Sequence, residues 1–328
     1  MRVIRGLVVA VWLCSSAWGV VCGMDQQPDE TGPYEIGVFE TELRDDERGR
    51  SMGLLVLYPI DEDGEEAMAR PLIVFNHGFL LSASGYRSYG AHFASHGFVA
   101  AMPSFPTSFL TVHHVRLAED VRFVVDYLLE STDDVEHPLF GRIDPARIGS
   151  SGHSLGGKLS LLEAVTDERI RAIGVLDPVD EGNPLWENPT RYPSVAPELM
   201  PEIAVPLLFV GAELGSVLIS FSPCAPEDEN YQRFYESANP PAIEITQLDV
   251  GHGQYVDEGT EDEDDPCARG DVPSEWVRAS ASAYLTAFFL STLMDSQEGT
   301  DWLDARLADD EAEGRIVVRR KGSGVTVP

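Results

Sequence analysis

Ser154 stands in Gly152-His153-Ser154-Leu155-Gly156-Gly157, a hydroxyl flanked by residues without bulk. A serine hydroxyl is a weak nucleophile until a neighbouring base takes its proton; it then attacks an electrophilic carbonyl carbon. The pentapeptide Gly-X-Ser-X-Gly is too short to specify this chemistry alone. Its setting adds to it. A strand-like run, 147–152, precedes it, and apolar residues at helical spacing, 155–165, follow it. A nucleophile on a tight strand-to-helix turn needs small neighbours. The helix starting there also aims its first amides at the point where negative charge forms.

A base must follow. Of the eight histidines, His252 in Asp249-Val250-Gly251-His252-Gly253 comes after the last expected strand of the series, the place this chemistry requires. His77 and His153 belong to strand-end motifs and come too early. His92, His96, His113, His114 and His137 precede the nucleophile and are expected to be surface or packing residues. Adjacent His113 and His114 point different ways on a helix, so no metal site is expected from them. The acid that orients the base must lie between serine and histidine in the order Ser…Asp/Glu…His. Asp177, ending Ile173-Gly174-Val175-Leu176-Asp177-Pro178, competes with Glu213, which follows 205–211. Asp180 and Asp249 are weaker rivals. The strand-end position and the stiffening by Pro178 favour Asp177. Two N–H groups should receive the oxyanion: that of Leu155, and that of Phe79 after Asn76-His77-Gly78, where Gly78 permits close backbone approach.

These residues need a scaffold. Strand-like runs at 34–43, 51–60, 71–76, 98–102, 147–152, 170–176, 205–210 and 242–248 alternate with helical patterns at 86–96, 113–130, 155–165 and 274–294. Unalternating apolar runs such as Pro71-Leu72-Ile73-Val74-Phe75 suit strands covered on both faces. Strand then helix, repeated, predicts an α/β fold, a doubly wound and mainly parallel sheet in a single domain over 34–296. Residues 24–33 read as a linker and 297–328 as a loosely ordered tail. Residues 181–203, rich in proline and aromatics, are expected to form a lid or pocket wall.

The chain of 328 residues carries 55 acidic and 23 basic side chains, a formal charge of −32. So acidic a surface repels nucleic acid and anionic membranes. Arg2 and Arg5 followed by an apolar run, 7–21, have the form of a signal peptide over 1–23, cleaved after Gly19 or Gly23, so a secreted or periplasmic location is expected. Lipid attachment at Cys22 ranks below simple secretion, because Gly19-Val20-Val21 is a poor attachment context. No membrane span is expected in the mature chain. Cys224 and Cys267 remain as an even pair, expected to bridge in an oxidising compartment. The acidic run 261–265 lacks the ordered ligand spacing of a calcium loop and reads as a solvated surface. No cofactor or metal is called for.

The chain resembles the chlorophyllases, a branch of the α/β-hydrolases, from about residue 72 to 257. The resemblance is carried by Phe75-Asn76-His77-Gly78-Phe79, Ala94-Ser95-His96-Gly97-Phe98 and Gly152-His153-Ser154-Leu155-Gly156-Gly157-Lys158. It continues through Leu176-Asp177-Pro178-Val179-Asp180, Pro223-Cys224-Ala225-Pro226, Asn230 with Phe234-Tyr235, and Gly251-His252. It implies a Ser154–Asp177–His252 triad and hydrolysis of an ester on a bulky amphipathic substrate. Leu155 departs from the arginine usual in the plant members. The chain is also similar to cutinase-like polyester hydrolases, and a secreted lipase or polyester hydrolase is the alternative function. The position expected to hold the cutinase acid is Gly215 here, so a triad built that way would lack its acid.

Overall fold

The structure, a computed structural model, describes residues 27–61, 67–108, 110–180, 182, 188–218, 223–259 and 266–322. The signal segment 1–23, the acidic run 261–265, and residues 181 and 183–187 of the expected lid or wall lie outside the described residues.

Two antiparallel strands come first, β1 (Ile36–Asp45) and β2 (Arg50–Pro59), closed by a turn with Gly49 at φ +63°. Next are β3 (Arg70–Asn76), α1 (Arg87–Ser95), β4 (Val99–Ser104), α2 (His114–Asp133), β5 (Ile143–His153), α3 (Leu155–Ala164), β6 (Ile170–Leu176) and β7 (Leu207–Ala212). The chain continues with α4 (Tyr231–Ser237), β8 (Ala242–Gln247), α5 (Ser274–Leu293), α6 (Gln297–Ala312) and β9 (Ile316–Lys321). The nine strands among the described residues join one sheet in the order β1-β2-β4-β3-β5-β6-β7-β8-β9. From β4 to β8 the neighbours run parallel. This is the α/β architecture expected.

The period-two geometry of strands sends successive side chains to opposite faces. In β3, Leu72 and Val74 feed one core with Val121, Val124 and Leu128 of α2 and Leu159 and Leu162 of α3. Ile73 and Phe75 feed the other, with Tyr89 and Phe93 of α1 and Tyr284, Phe288 and Phe289 of α5. Both faces are covered, which is why β3 reads as an uninterrupted apolar run.

The tail expected to be loosely ordered over 297–328 forms a helix and a strand in its described part, 297–322, a correction. Ser296 Oγ accepts the Gly299 N–H at 3.0 Å and caps α6. Leu303 and Leu307 then bury against the α5 side of the sheet. β9 pairs antiparallel with β8, setting Arg319 opposite Glu244, and Arg319 Nε donates to Glu244 Oε1 at 2.9 Å. Few apolar residues mark these elements because one is a polar outer helix and the other a half-exposed edge strand. The expected linker is likewise docked where it is described. His92 Nε2 lies 2.8 Å from Pro28 O, His96 Nε2 lies 2.9 Å from Glu30 O, and Gly32 N donates to Ser95 Oγ at 3.0 Å, fastening 28–32 to α1. Among the described residues no helix is long and apolar enough to cross a membrane.

Candidate active site

Open α/β sheets place ligands beyond the carboxyl ends of their strands. Every residue singled out for chemistry lies there. Ser154 follows β5 directly, at φ +55° and ψ −122°, and α3 begins at Leu155. A left-handed conformation costs a non-glycine residue about 1–3 kcal/mol, so it persists only where packing enforces it. The enforcement is visible. A Cβ at Gly156 would lie 2.0 Å from Asn76 O, and one at Gly152 would lie 2.5 Å from Gly156 C. Only with glycine at both positions can α3 close onto β3 and β5.

His252 opens a short 3-10 turn, 252–255, after β8. Its Nδ1 lies 2.7 Å from Asp177 Oδ2. The carboxylate can only accept, so Nδ1 carries the proton and Nε2 is left to act as a base. Asp177 is fully buried at the end of β6, at φ +37°. Its second oxygen, Oδ1, accepts the Ala212 N–H at 3.3 Å. His153, next to Ser154, packs on His252 with ring centroids 4.5 Å apart, which puts the Ser154 and His252 loops in contact.

The rival acids do other work. Glu213 Oε2 accepts the Asp249 N–H at 2.9 Å, bracing the loop ahead of His252, and Asp249 is exposed. The Asp180 carboxylate accepts from the Val195 and Ala196 amides, each at 2.9 Å, and from Ser194 Oγ at 3.2 Å. Asp180 also pairs with Lys158 Nζ at 2.9 Å, and both side chains are wholly buried. A charge pair so deep is tolerable only when further hydrogen bonds satisfy it, as these do. Tyr192 Oη donates to Val112 O at 3.0 Å and Arg233 Nε to Ala196 O at 2.7 Å. Residues 192–196 of the expected lid or wall are thus pinned to α3 and its surroundings, as a fixed wall.

Phe79 is half-buried in the loop after β3, and Leu155 is buried. The orientation of the Gly78–Phe79 peptide follows from His77. Phe105 N donates to His77 Nε2 at 2.9 Å, so the ring proton sits on Nδ1, 2.7 Å from Gly78 O. Burial pushes the His77 pKa down and keeps the ring neutral. Holding that carbonyl turns the Phe79 N–H to the opposite side of a planar trans peptide. His77 was passed over in the sequence because its position ruled it out as the base. Its place in the His-Gly strand end was the available signal.

Cys224 and Cys267 form a disulfide with Cα atoms 5.9 Å apart. It ties the segment after β7 to the turn 266–268, which lies against the His252 loop: a Cβ at Gly251 would meet Cys267 O at 2.8 Å. His92, His96, His114 and His137 are packing residues, as expected; His114, for example, meets the Tyr192 ring edge-on at 5.0 Å. Among the described residues no cluster of three or more His, Cys, Asp or Glu side chains is arranged to hold a metal.

Gly215 and Asp177, on different strand ends, face one another. A Cβ at Gly215 would lie 2.8 Å from Asp177 Oδ2, the oxygen that holds His252. The two acid positions converge on one space and exclude each other. The sequence could show that Gly215 lacks a carboxylate, but not that Asp177 occupies its room.

A family model for chlorophyllase matches residues 27–308. Chlorophyllase-2 of Arabidopsis thaliana is 25% identical over 217 residues, 63% of this chain and 65% of that protein. Chlorophyllase-1, chloroplastic, of Citrus unshiu is 24% identical over 228 residues, 66% of this chain and 67% of that protein. Chlorophyllase-1 of Arabidopsis thaliana is 26% identical over 196 residues, 57% of this chain and 60% of that protein. The chain therefore spans about two thirds or less of the length of these relatives.

Proposed function

The chain belongs to the chlorophyllase family, and from that premise we propose that it is a serine carboxylic ester hydrolase acting through Ser154, His252 and Asp177. Its substrate is an ester of a bulky amphipathic molecule, of the kind the relatives' name implies for chlorophyll. One observation carries the most weight: the 2.7 Å bond from His252 Nδ1 to buried Asp177, beside a serine at positive φ.

In this mechanism His252 Nε2 takes the Ser154 hydroxyl proton as Oγ attacks the ester carbonyl. Asp177 stabilises the imidazolium that results. The Leu155 and Phe79 amides receive the oxyanion. Collapse expels the alcohol, which takes the proton from His252, and leaves an acyl-serine. Water, deprotonated by the same histidine, then releases the acid and frees Ser154. The signal-like segment 1–23 supports a secreted or periplasmic location.

Ser154→Ala should abolish hydrolysis of p-nitrophenyl butyrate and labelling by a fluorophosphonate while the protein stays folded. Retained hydrolysis would refute the assignment. The unaltered protein, given chlorophyll in detergent, should release chlorophyllide. Failure there, with cleavage of triglyceride or polyester, would transfer the substrate to the lipase or cutinase class and leave the triad standing.

A further inference from the structure

His153 precedes the nucleophile and sits at the last position of β5. Its ring is 2% exposed, and both nitrogens are engaged. Nε2 lies 3.0 Å from His252 O. A carbonyl oxygen only accepts, so Nε2 carries hydrogen. Burial and the neighbouring His252 drive the His153 pKa well below the ordinary histidine value, so the ring is neutral and Nδ1 is bare. Nδ1 lies 2.7 Å from Tyr86 Oη, which must therefore donate to it. The Tyr86 oxygen in turn accepts the Gly78 N–H at 3.3 Å.

All donor directions follow from the carbonyl end. Gly78 N–H points to Tyr86, Tyr86 O–H to His153, and His153 N–H to the carbonyl of His252. The line joins three loops: the one bearing the Phe79 amide, the one bearing Ser154 and the one bearing His252. We propose that His153 is a positioning residue for the hydrolysis, a neutral imidazole whose Nε2–H fixes the His252 backbone and whose ring face seats the His252 imidazole. It touches no substrate in this role. The proposal rests on the triad reading above.

Neutrality matters to the role. A protonated His153 would lose its acceptor for Tyr86. It would also place a positive charge 4.5 Å, ring to ring, from the histidine that must itself become cationic. A neutral neighbour leaves that proton transfer unopposed.

Two amide side chains separate the two ends of the ring. Glutamine carries its N–H₂ near the Nε2 position and can keep the bond to His252. Asparagine carries its oxygen near the Nδ1 position and can keep the bond from Tyr86, but it cannot reach His252. The test uses the full chain, p-nitrophenyl butyrate, and a fluorophosphonate titration that counts competent serines. His153→Asn should lower kcat per titrated site about 10- to 100-fold, the loss expected when one buried hydrogen bond that positions His252 is left unmade. KM should stay within about threefold, since no substrate contact is removed. His153→Gln should recover most of the loss. Tyr86→Phe should lower kcat less than His153→Asn.

If His153→Asn and His153→Gln both keep wild-type kcat per titrated site, the proposal fails. It also fails if the two lose activity equally, or if the loss falls on KM. A wild-type chain that neither titrates nor hydrolyses the ester fails the triad reading instead, so the two failures are distinct.

Discussion

Gly215→Ala adds a single methyl group, to a turn whose backbone tolerates alanine. That methyl would start 2.8 Å from Asp177 Oδ2 and 3.2 Å from the Ala225 methyl. Carbon and oxygen settle at roughly 3.4 Å or more, so the carboxylate must retreat by about 0.6 Å. An exposed aspartate would do this freely. Asp177 is fully buried, its backbone is held by Asp177 N donating to Val210 O at 2.7 Å, and Ala212 N holds Oδ1. The movement therefore falls on the bond of Oδ2 itself, the 2.7 Å contact with His252 Nδ1. A hydrogen bond to a charged group contributes about 1.5–3 kcal/mol. Its loss in the transition state lowers kcat/KM by about 10- to 150-fold. The assay is p-nitrophenyl butyrate hydrolysis normalised to titrated serine, with Asp177→Asn and the double variant completing a cycle. Because both changes strike the same bond, Gly215→Ala should cost little more once Asp177 is asparagine. Wild-type activity in folded Gly215→Ala, or losses that multiply in the double variant, would refute the steric coupling of the two strand ends.

Asp177→Asn should itself lower kcat by several orders of magnitude, on the scale of about 10⁴ found for a triad aspartate. Glu213→Gln, which keeps an acceptor for Asp249 N, should stay within a few fold, and the reverse ranking in the same assay would move the acid to β7. Replacing Cys224 and Cys267 together by serine opens a link across 43 residues of chain. The chain-entropy cost is about 4 kcal/mol, and urea unfolding should show it; an unchanged midpoint would count against the bridge as a stabilising element. His92, half-buried against 28–32 and beside His96, has its pKa lowered from 6.5 to about 4 by burial first and by His96 second, with the Pro28 carbonyl and Asp29 opposing. The unfolded chain then binds this proton first, so stability is fully present above about pH 6.5 and is lost as pH falls towards 4. The loss from this group is on the order of 3 kcal/mol. His92→Gln, which retains a donor for Pro28 O, should flatten the difference between urea midpoints measured at pH 7 and pH 4.5, and an unchanged difference would assign the acid sensitivity elsewhere.

The elements that build the site were legible because each carries a strong local pattern. β3 is buried on both faces and so is written as an apolar run, as is β6 beyond its exposed Arg171. α3 follows a glycine-flanked serine because no bulkier residue fits between β3 and the helix. The order of Ser154, Asp177 and His252 along the chain is a property of connectivity, and it too could be read directly. Weak patterns concealed the remainder. α6 buries only a few residues of an acidic helix, and β9 is an edge strand whose basic residues meet partners distant in sequence, such as Glu244. No local window holds both halves of such a pair.

The sequence by itself determined the candidate nucleophile, its candidate histidine and the alternation of strand and helix, since these depend on residue type, spacing and order. Tertiary structure alone decided how the candidate acids divide their work, because that depends on which side chains share a volume. Asp177 and Gly215 are separated by β7 and the segment before it, yet a methyl group on one would strike the carboxylate of the other. Asp180, three residues beyond Asp177, instead pairs with Lys158 and holds the wall at 194–196 through three backbone or hydroxyl donors. The direction of the protons through Tyr86 and His153 to the carbonyl of His252 likewise exists only once three loops meet, since a histidine's tautomer is set by the partners of both its nitrogens.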